Sequence, residues 1–120
     1  MRRPEVLKFL YDIKVACELL ARFTAGRQLG DYLDDPMLRS AVERQFEIIG
    51  EALNGALTLD ASLALVVTNA PRIIAFRNRL IHGYATVSNE VVWGVVAGGL
   101  PILHREVEAL LAEFTPRELI

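Results

Sequence analysis

Apolar residues recur at intervals of three and four along two long stretches of the 120-residue chain. The first stretch carries Val6, Leu7, Leu10, Ile13, Cys17, Leu20 and Ala21, and the second carries Leu38, Ala41, Val42, Phe46, Ile49, Leu53 and Leu57. This spacing puts each set on one face of an α-helix. Because no segment alternates with period two, the sequence predicts an all-α, up-and-down bundle of four to five helices.

The expected helix boundaries follow from proline, capping residues and glycine. We predict helices at about Pro4–Thr24, Pro36–Leu57 and Ala70–His82, and a last helix from a cap at Ser88 to about Phe114 that Pro101 bends. Tyr32 and Leu33 are expected in a loop that returns to the core, and Asp35 is expected to cap the second long helix. Residues 58–70 are ambiguous, since Asp60 could cap a short helix while Val66, Val67 and Thr68 are poor helix formers.

Composition limits the possible classes of protein. One domain is expected over residues 1–120, and the apolar fraction of 52% suggests surface buried between subunits. Thirteen basic and 15 acidic residues give a net charge of −2, so any positive charge for nucleic acid must be local, as at Arg72, Arg77 and Arg79. The apolar run at 91–103 is too short for a membrane span.

Few residues could hold a metal ion or form a disulfide. Cys17 is the single cysteine, which excludes an internal disulfide and suits a reducing compartment such as the cytoplasm. His82 and His104 are the only histidines, so neither a zinc site nor any other cofactor is expected. His104 is expected on a helix surface.

The stretch from Arg77 to Tyr84 concentrates two guanidiniums, an amide, an imidazole and a phenol in eight residues. It reads as the end of a helix, with His82 in the last turn and Gly83 as a left-handed C-terminal residue. Arg77 and His82 diverge by roughly 140° around such a helix, so one copy cannot easily aim both at one atom. Two copies that face each other across a symmetry axis could do so.

The motif resembles the signature of the HEPN superfamily, and in particular of its HepT-like toxins. Arg77, Asn78, His82 and Tyr84 fit that signature without a gap, and residues 41–52, AVERQFEIIGEA, are similar to the second-helix segment of the same branch. The resemblance covers about Lys8 to Leu111. It implies a metal-independent endoribonuclease toxin of a type VII-like toxin-antitoxin system that acts as a two-fold homodimer, with Arg77 and His82 as catalytic residues.

The resemblance also implies a partner, a minimal nucleotidyltransferase that acts as the antitoxin and places AMP on Tyr84. If the substrate is RNA, His82 is the candidate acid or base and Arg77 the clamp on the phosphate, while Asn78 could hold the imidazole or a phosphate oxygen. On general grounds Glu47 and Glu51 belong with Glu43 to a solvated acidic stripe. The alternative is that Glu47 or Glu51 turns toward Arg77 and His82 and orients the site.

Two further interpretations of the motif remain open at the level of sequence. The domain could be a catalytically weak or inactive helical module that docks to the nucleotidyltransferase and is modified on Tyr84. Alternatively, the arginines and His82 could be solvated cations at the carbonyl end of a helix, with Tyr84 packed in the core.

Overall fold

The computed structural model describes residues 3–83 and 87–113, and within these ranges all regular structure is helical, which confirms the predicted class. Its helices are α1 (Pro4–Thr24), α2 (Leu29–Asp34), α3 (Pro36–Leu59), a 3₁₀ helix (Ala61–Leu65), α4 (Ala70–His82), α5 (Asn89–Ala97) and α6 (Gly99–Ala112). None of the described helices is long and apolar enough to cross a membrane.

The long helix α3 lies at the centre of the bundle. It packs against α1 on one side and against α4 on another, while α6 covers the rest of α1. The faces that meet are the apolar faces read from the sequence: Leu10 and Ile13 of α1 and Val42 and Leu53 of α3 are fully shielded from solvent. Burial of each such side chain stabilises the fold by about 1.5–3 kcal/mol, so the α1–α3 contact anchors the bundle.

The predicted caps are confirmed where they can be compared. Asp35 Oδ1 accepts hydrogen bonds from the backbone N–H groups of Met37 and Leu38, at 3.0 and 3.1 Å. Asp60 caps the 3₁₀ helix through Ser62 N–H at 3.1 Å, which resolves the ambiguous segment as a single tight helical stretch. Ser88 Oγ accepts from Val91 N–H at 3.2 Å and opens α5.

The last predicted helix is in fact two helices. The helical conformation is interrupted at Gly98, which lies between the end of α5 and the start of α6. The described bundle therefore has six α-helices and a 3₁₀ helix rather than four to five helices. Pro101 lies in the first turn of α6, where its missing N–H costs little, so it starts a helix rather than bending one. Glycine at both 98 and 99 lowers the helical preference where the break occurs.

The region expected as a loop contains the short helix α2. Its Tyr32 is fully buried, as predicted, and its ring lies 5.2 Å from the ring of Trp93, which joins α2 to α5. Burial raises the pKa of Tyr32 to about 12. Leu33 is more exposed than expected, because α2 turns it away from the core.

The buried state of Cys17 gives a test of the fold. Burial between α1 and its neighbours raises the pKa of the Cys17 thiol to about 12, so hardly any thiolate forms near neutral pH. We expect iodoacetamide to leave the native protein unmodified and to add one adduct after unfolding in urea, as measured by intact mass. Fast alkylation of the native protein would contradict the packing of α1 described here.

Candidate functional site

Helix α4 carries the motif and has the predicted bounds. Pro71 lies in its first turn and His82 is its last residue. The prediction of a left-handed conformation at Gly83 is wrong, because the φ angle of this residue is −129°. The helix instead ends with a hydrogen bond from Gly83 N–H to the carbonyl of Arg79, at 2.8 Å. Arg79 and His82 therefore lie in the last turn, where the carbonyl end of the helix favours positive charge.

Arg77 faces α3 and lies directly on Gly50. A Cβ atom added at Gly50 would overlap the Arg77 Cβ and would lie 2.6 Å from its Cγ, far inside van der Waals contact. Only glycine at position 50 therefore leaves room for the aliphatic part of the Arg77 side chain against α3. The sequence did not reveal this contact, because a glycine within a long apolar helix does not indicate which residue approaches it.

The guanidinium of Arg77 makes one hydrogen bond among the described residues. Its Nε is shielded from solvent and has no hydrogen-bond partner, while Nη1 donates to Asn78 Oδ1 at 2.9 Å. The Asn78 oxygen thus orients the arginine, and a role of Asn78 in holding the imidazole or a phosphate oxygen stays a prediction. An arginine with a fixed stem and one fixed Nη can present its other terminal N–H groups to an oxyanion.

His82 is exposed and lies apart from Arg77. Because α4 is a continuous helix through both residues, their side chains leave it about 140° apart. Within one chain, the side chains of Arg77 and Asn78 are in contact, and the side chain of His82 points away from Arg77. The predicted modification site, Tyr84, is outside the described residues.

The acidic residues of α3 make no hydrogen bond to Arg77 or His82 among the described residues. Glu47 instead pairs with Arg44 at 3.5 Å. Burial, and next the charge of Glu47, raises the pKa of Glu43. Glu51 is exposed. An orienting role for Glu47 or Glu51 stays a prediction.

A cavity of about 430 Å³ lies beside the motif, between α3, α4, α5 and α6. Its walls are mostly apolar and its edge includes Arg72 and Arg79 of α4. The carboxylate of Glu106 on α6 accepts from Thr68 N–H at 3.0 Å and from Thr68 Oγ1 at 2.6 Å, and so fixes the start of α4 to the far wall. Sequence reasoning named both arginines but not the cavity.

A second cluster lies between α1 and α6. His104 Nε2 is 3.3 Å from Glu18 and 3.4 Å from Glu108, and these three side chains place ligand atoms within 4.8 Å of one another. Lys14 Nζ already lies 2.9 Å from the same Glu18 oxygen, and this ammonium, followed by His104, holds the pKa of Glu18 below its usual value. The cluster is a hydrogen-bonded link between two helices, and it gives His104 contacts that the sequence did not predict.

Comparisons with known proteins point to one family. The chain matches the family model described as Ribonuclease HepT-like over residues 13–62 and 68–110, which include α4. It is 31% identical over 110 residues to a Methanocaldococcus jannaschii protein named as a candidate RNase, MJ1380, with 90% of this chain and 98% of the relative covered. It is 33% identical over 104 residues to a Thermococcus cleftensis protein named as a probable ribonuclease HepT, with 85% and 92% covered. No solved structure matches the chain significantly.

The contact between Gly50 and Arg77 predicts the effect of one methyl group. Alanine is favoured over glycine within a helix by about 0.8–1.0 kcal/mol, yet we expect Gly50→Ala to lower the free energy of unfolding by about 1–3 kcal/mol through overlap with Arg77. Gly30→Ala in α2 is the matched control, because nothing lies within 4 Å of a Cβ there. Urea unfolding measures both variants, and equal stability of the two would contradict the close approach of α3 and α4.

Proposed function

The chain belongs to the HepT-like ribonuclease family, and from that membership we propose that it is a metal-independent endoribonuclease. The observation that carries the proposal is the environment of Arg77. This residue lies within the range that the family model matches, and Gly50 and Asn78 hold it without a carboxylate partner among the described residues. A permanently charged, oriented guanidinium suits the developing charge on a phosphate.

The proposed reaction starts from attack by a ribose 2′-oxygen on the adjacent phosphorus. A bond forms between phosphorus and the 2′-oxygen, and the bond to the 5′-oxygen breaks. The 2′-oxygen loses a proton and the leaving 5′-oxygen gains one; His82 carries out one of these two transfers and solvent water the other, because an exposed imidazole can act as an acid or as a base. Arg77 binds the non-bridging oxygens of the pentavalent phosphate.

We further propose that the working enzyme is a two-fold homodimer. Arg77 and His82 leave α4 about 140° apart, so a second copy can supply the residue that the first copy directs elsewhere. Several large apolar side chains are exposed in the single chain, including Met37 at 81% and Leu65 at 87%, which is consistent with further burial between subunits.

The supporting residues and the biological setting are part of the same proposal. Asn78 orients Arg77, and Glu47 supplies a carboxylate near the assembled site. The protein acts as the toxin of a type VII-like pair in the cytoplasm, and a minimal nucleotidyltransferase inactivates it by placing AMP on Tyr84. Two residues from His82, a bulky anion would block the cleft and neutralise its positive charge.

The first experiment tests the role of the imidazole. Purified protein is expected to cleave RNA in the presence of EDTA, and His82→Ala is expected to lower the rate by about 10²- to 10⁴-fold. His104→Ala is the matched control, since it removes the other histidine at the α1–α6 link and should leave cleavage unchanged. Undiminished cleavage by His82→Ala would exclude the mechanism and leave the docking module as the better interpretation.

A mixing experiment tests whether the site is shared between subunits. Neither Arg77→Ala nor His82→Ala should cleave RNA alone. If each site takes Arg77 from one subunit and His82 from the other, half of a randomly mixed population is heterodimeric with one intact site, so activity should return to about a quarter of wild type. The two variants are mixed, unfolded and refolded together so that subunits exchange, and activity is measured as cleavage of a labelled RNA. No recovery would show that both residues act within one chain.

A further inference from the structure

The cavity beside α4 takes no part in the proposed chemistry. Its apolar walls include Phe46, Ile49, Phe76, Val95 and Leu103, and Phe76 meets Phe46 edge to face with ring centroids 5.3 Å apart. A volume of about 430 Å³ is in the range of about 300–1,000 Å³ that is usual for ligand sites. The cavity is therefore large enough for a flat aromatic group.

The charges at its edge favour an anionic ligand. Arg72 and Arg79 are both exposed, and within residues 3–83 and 87–113 neither forms an ion pair. Arg72 lies in the first turn of α4, where the helix dipole disfavours a cation, and that turn contains no acidic residue to compensate. A phosphate would be bound there by the guanidinium and by the positive end of the helix together.

The spacing of these residues favours a strand over a single nucleotide. Arg72, Phe76 and Arg79 are separated by four and three residues, so they share one face of α4. The two arginines are about 10 Å apart along the helix axis, so they do not have to share a single phosphate. Each guanidinium can instead meet a different phosphate, with the aromatic ring between them.

A polar group suited to a base edge lies at the same opening. Asn69 is among the residues that line the cavity, and its side chain makes no capping hydrogen bond to α4. Its backbone is left-handed, with φ 57°, which costs energy for a residue other than glycine. A side-chain amide can donate to and accept from the edge of a nucleobase.

We propose that this cavity is a base-binding subsite for single-stranded RNA. An unstacked base enters the apolar space beside Phe76, and the phosphates on either side of its nucleoside bind Arg72 and Arg79. Double-stranded RNA does not fit this arrangement, because its bases are stacked and paired. The inference rests on the proposed function and adds the substrate class and a site for it.

The subsite also gives the strand a direction of approach to the proposed catalytic residue. Arg79 is three residues before His82, so the two are neighbours on successive turns of α4. When one phosphate of the RNA binds Arg79, the next nucleotide of the strand lies at the end of α4, close to His82. The base in the cavity therefore belongs to a nucleotide close to the bond that is cut.

Filling the cavity provides the first test. Gly99 lines it, and a Cβ added there meets only Val95 Cγ1, at 3.8 Å, which is ordinary van der Waals contact, so Gly99→Leu starts a side chain at the cavity wall. Gly94→Leu is the matched control, because nothing lies within 4 Å of its Cβ and it does not line the cavity. Both changes are made in His82→Ala protein, so that bound RNA stays intact, and circular dichroism confirms that each folds.

The readout is the affinity for a short, fluorescently labelled, single-stranded oligoribonucleotide, measured by anisotropy. Gly99→Leu is expected to weaken binding about tenfold, the scale of one lost base-stacking contact, and Gly94→Leu to leave it unchanged. Arg72→Ala and Arg79→Ala should each reduce the slope of log affinity against log salt by about 0.7, while Arg22→Ala at the end of α1 should not.

The outcomes separate this inference from the proposed function. Wild-type protein that binds RNA in the cavity but does not cleave it would overturn the ribonuclease proposal and keep the subsite. Equal binding by Gly99→Leu and Gly94→Leu would overturn the subsite. A changed molecular mass of Gly99→Leu in light scattering would also overturn it, because the cavity would then be a contact between subunits.

Discussion

The bundle depends on two positions of α3 that have no side chain. A Cβ at Gly55 would lie 2.7 Å from the ring of Phe9 on α1, and one at Gly50 would overlap the stem of Arg77 on α4. Five residues apart, these glycines face directions that differ by about 140°. The same helix therefore admits a large neighbour closely on each of two sides, and the positions of α1 and α4 follow from those two contacts.

This packing has a direct effect on the chemistry available to the motif. Arg77 is placed by core contacts and by Asn78, so little conformational freedom remains to be lost when it binds an oxyanion. His82, at the exposed end of α4, has no comparable support in one chain. The site thus consists of a rigid half and an open half, which is the arrangement expected where assembly or substrate completes the geometry.

Local sequence patterns predicted the positions of most of the helices, whereas contacts between distant residues had no local pattern that could predict them. Periodicity and caps located α1, α3 and α4, because these depend on neighbours in sequence. The break at Gly98 was missed because a proline after a glycine pair can either bend a helix or start a new one. The cavity and the approach of Arg77 to Gly50 join residues far apart in the chain, and no spacing rule predicts such contacts.

The packing of α6 on α1 also affects how the chain acquires its structure during translation. The first helix leaves the ribosome well before the last one, yet α6 covers part of its apolar face. Until then α3 is the main packing partner of α1, and the α6 wall of the cavity does not exist. A nascent chain therefore contains the motif helix for some time before it contains both walls of the cavity.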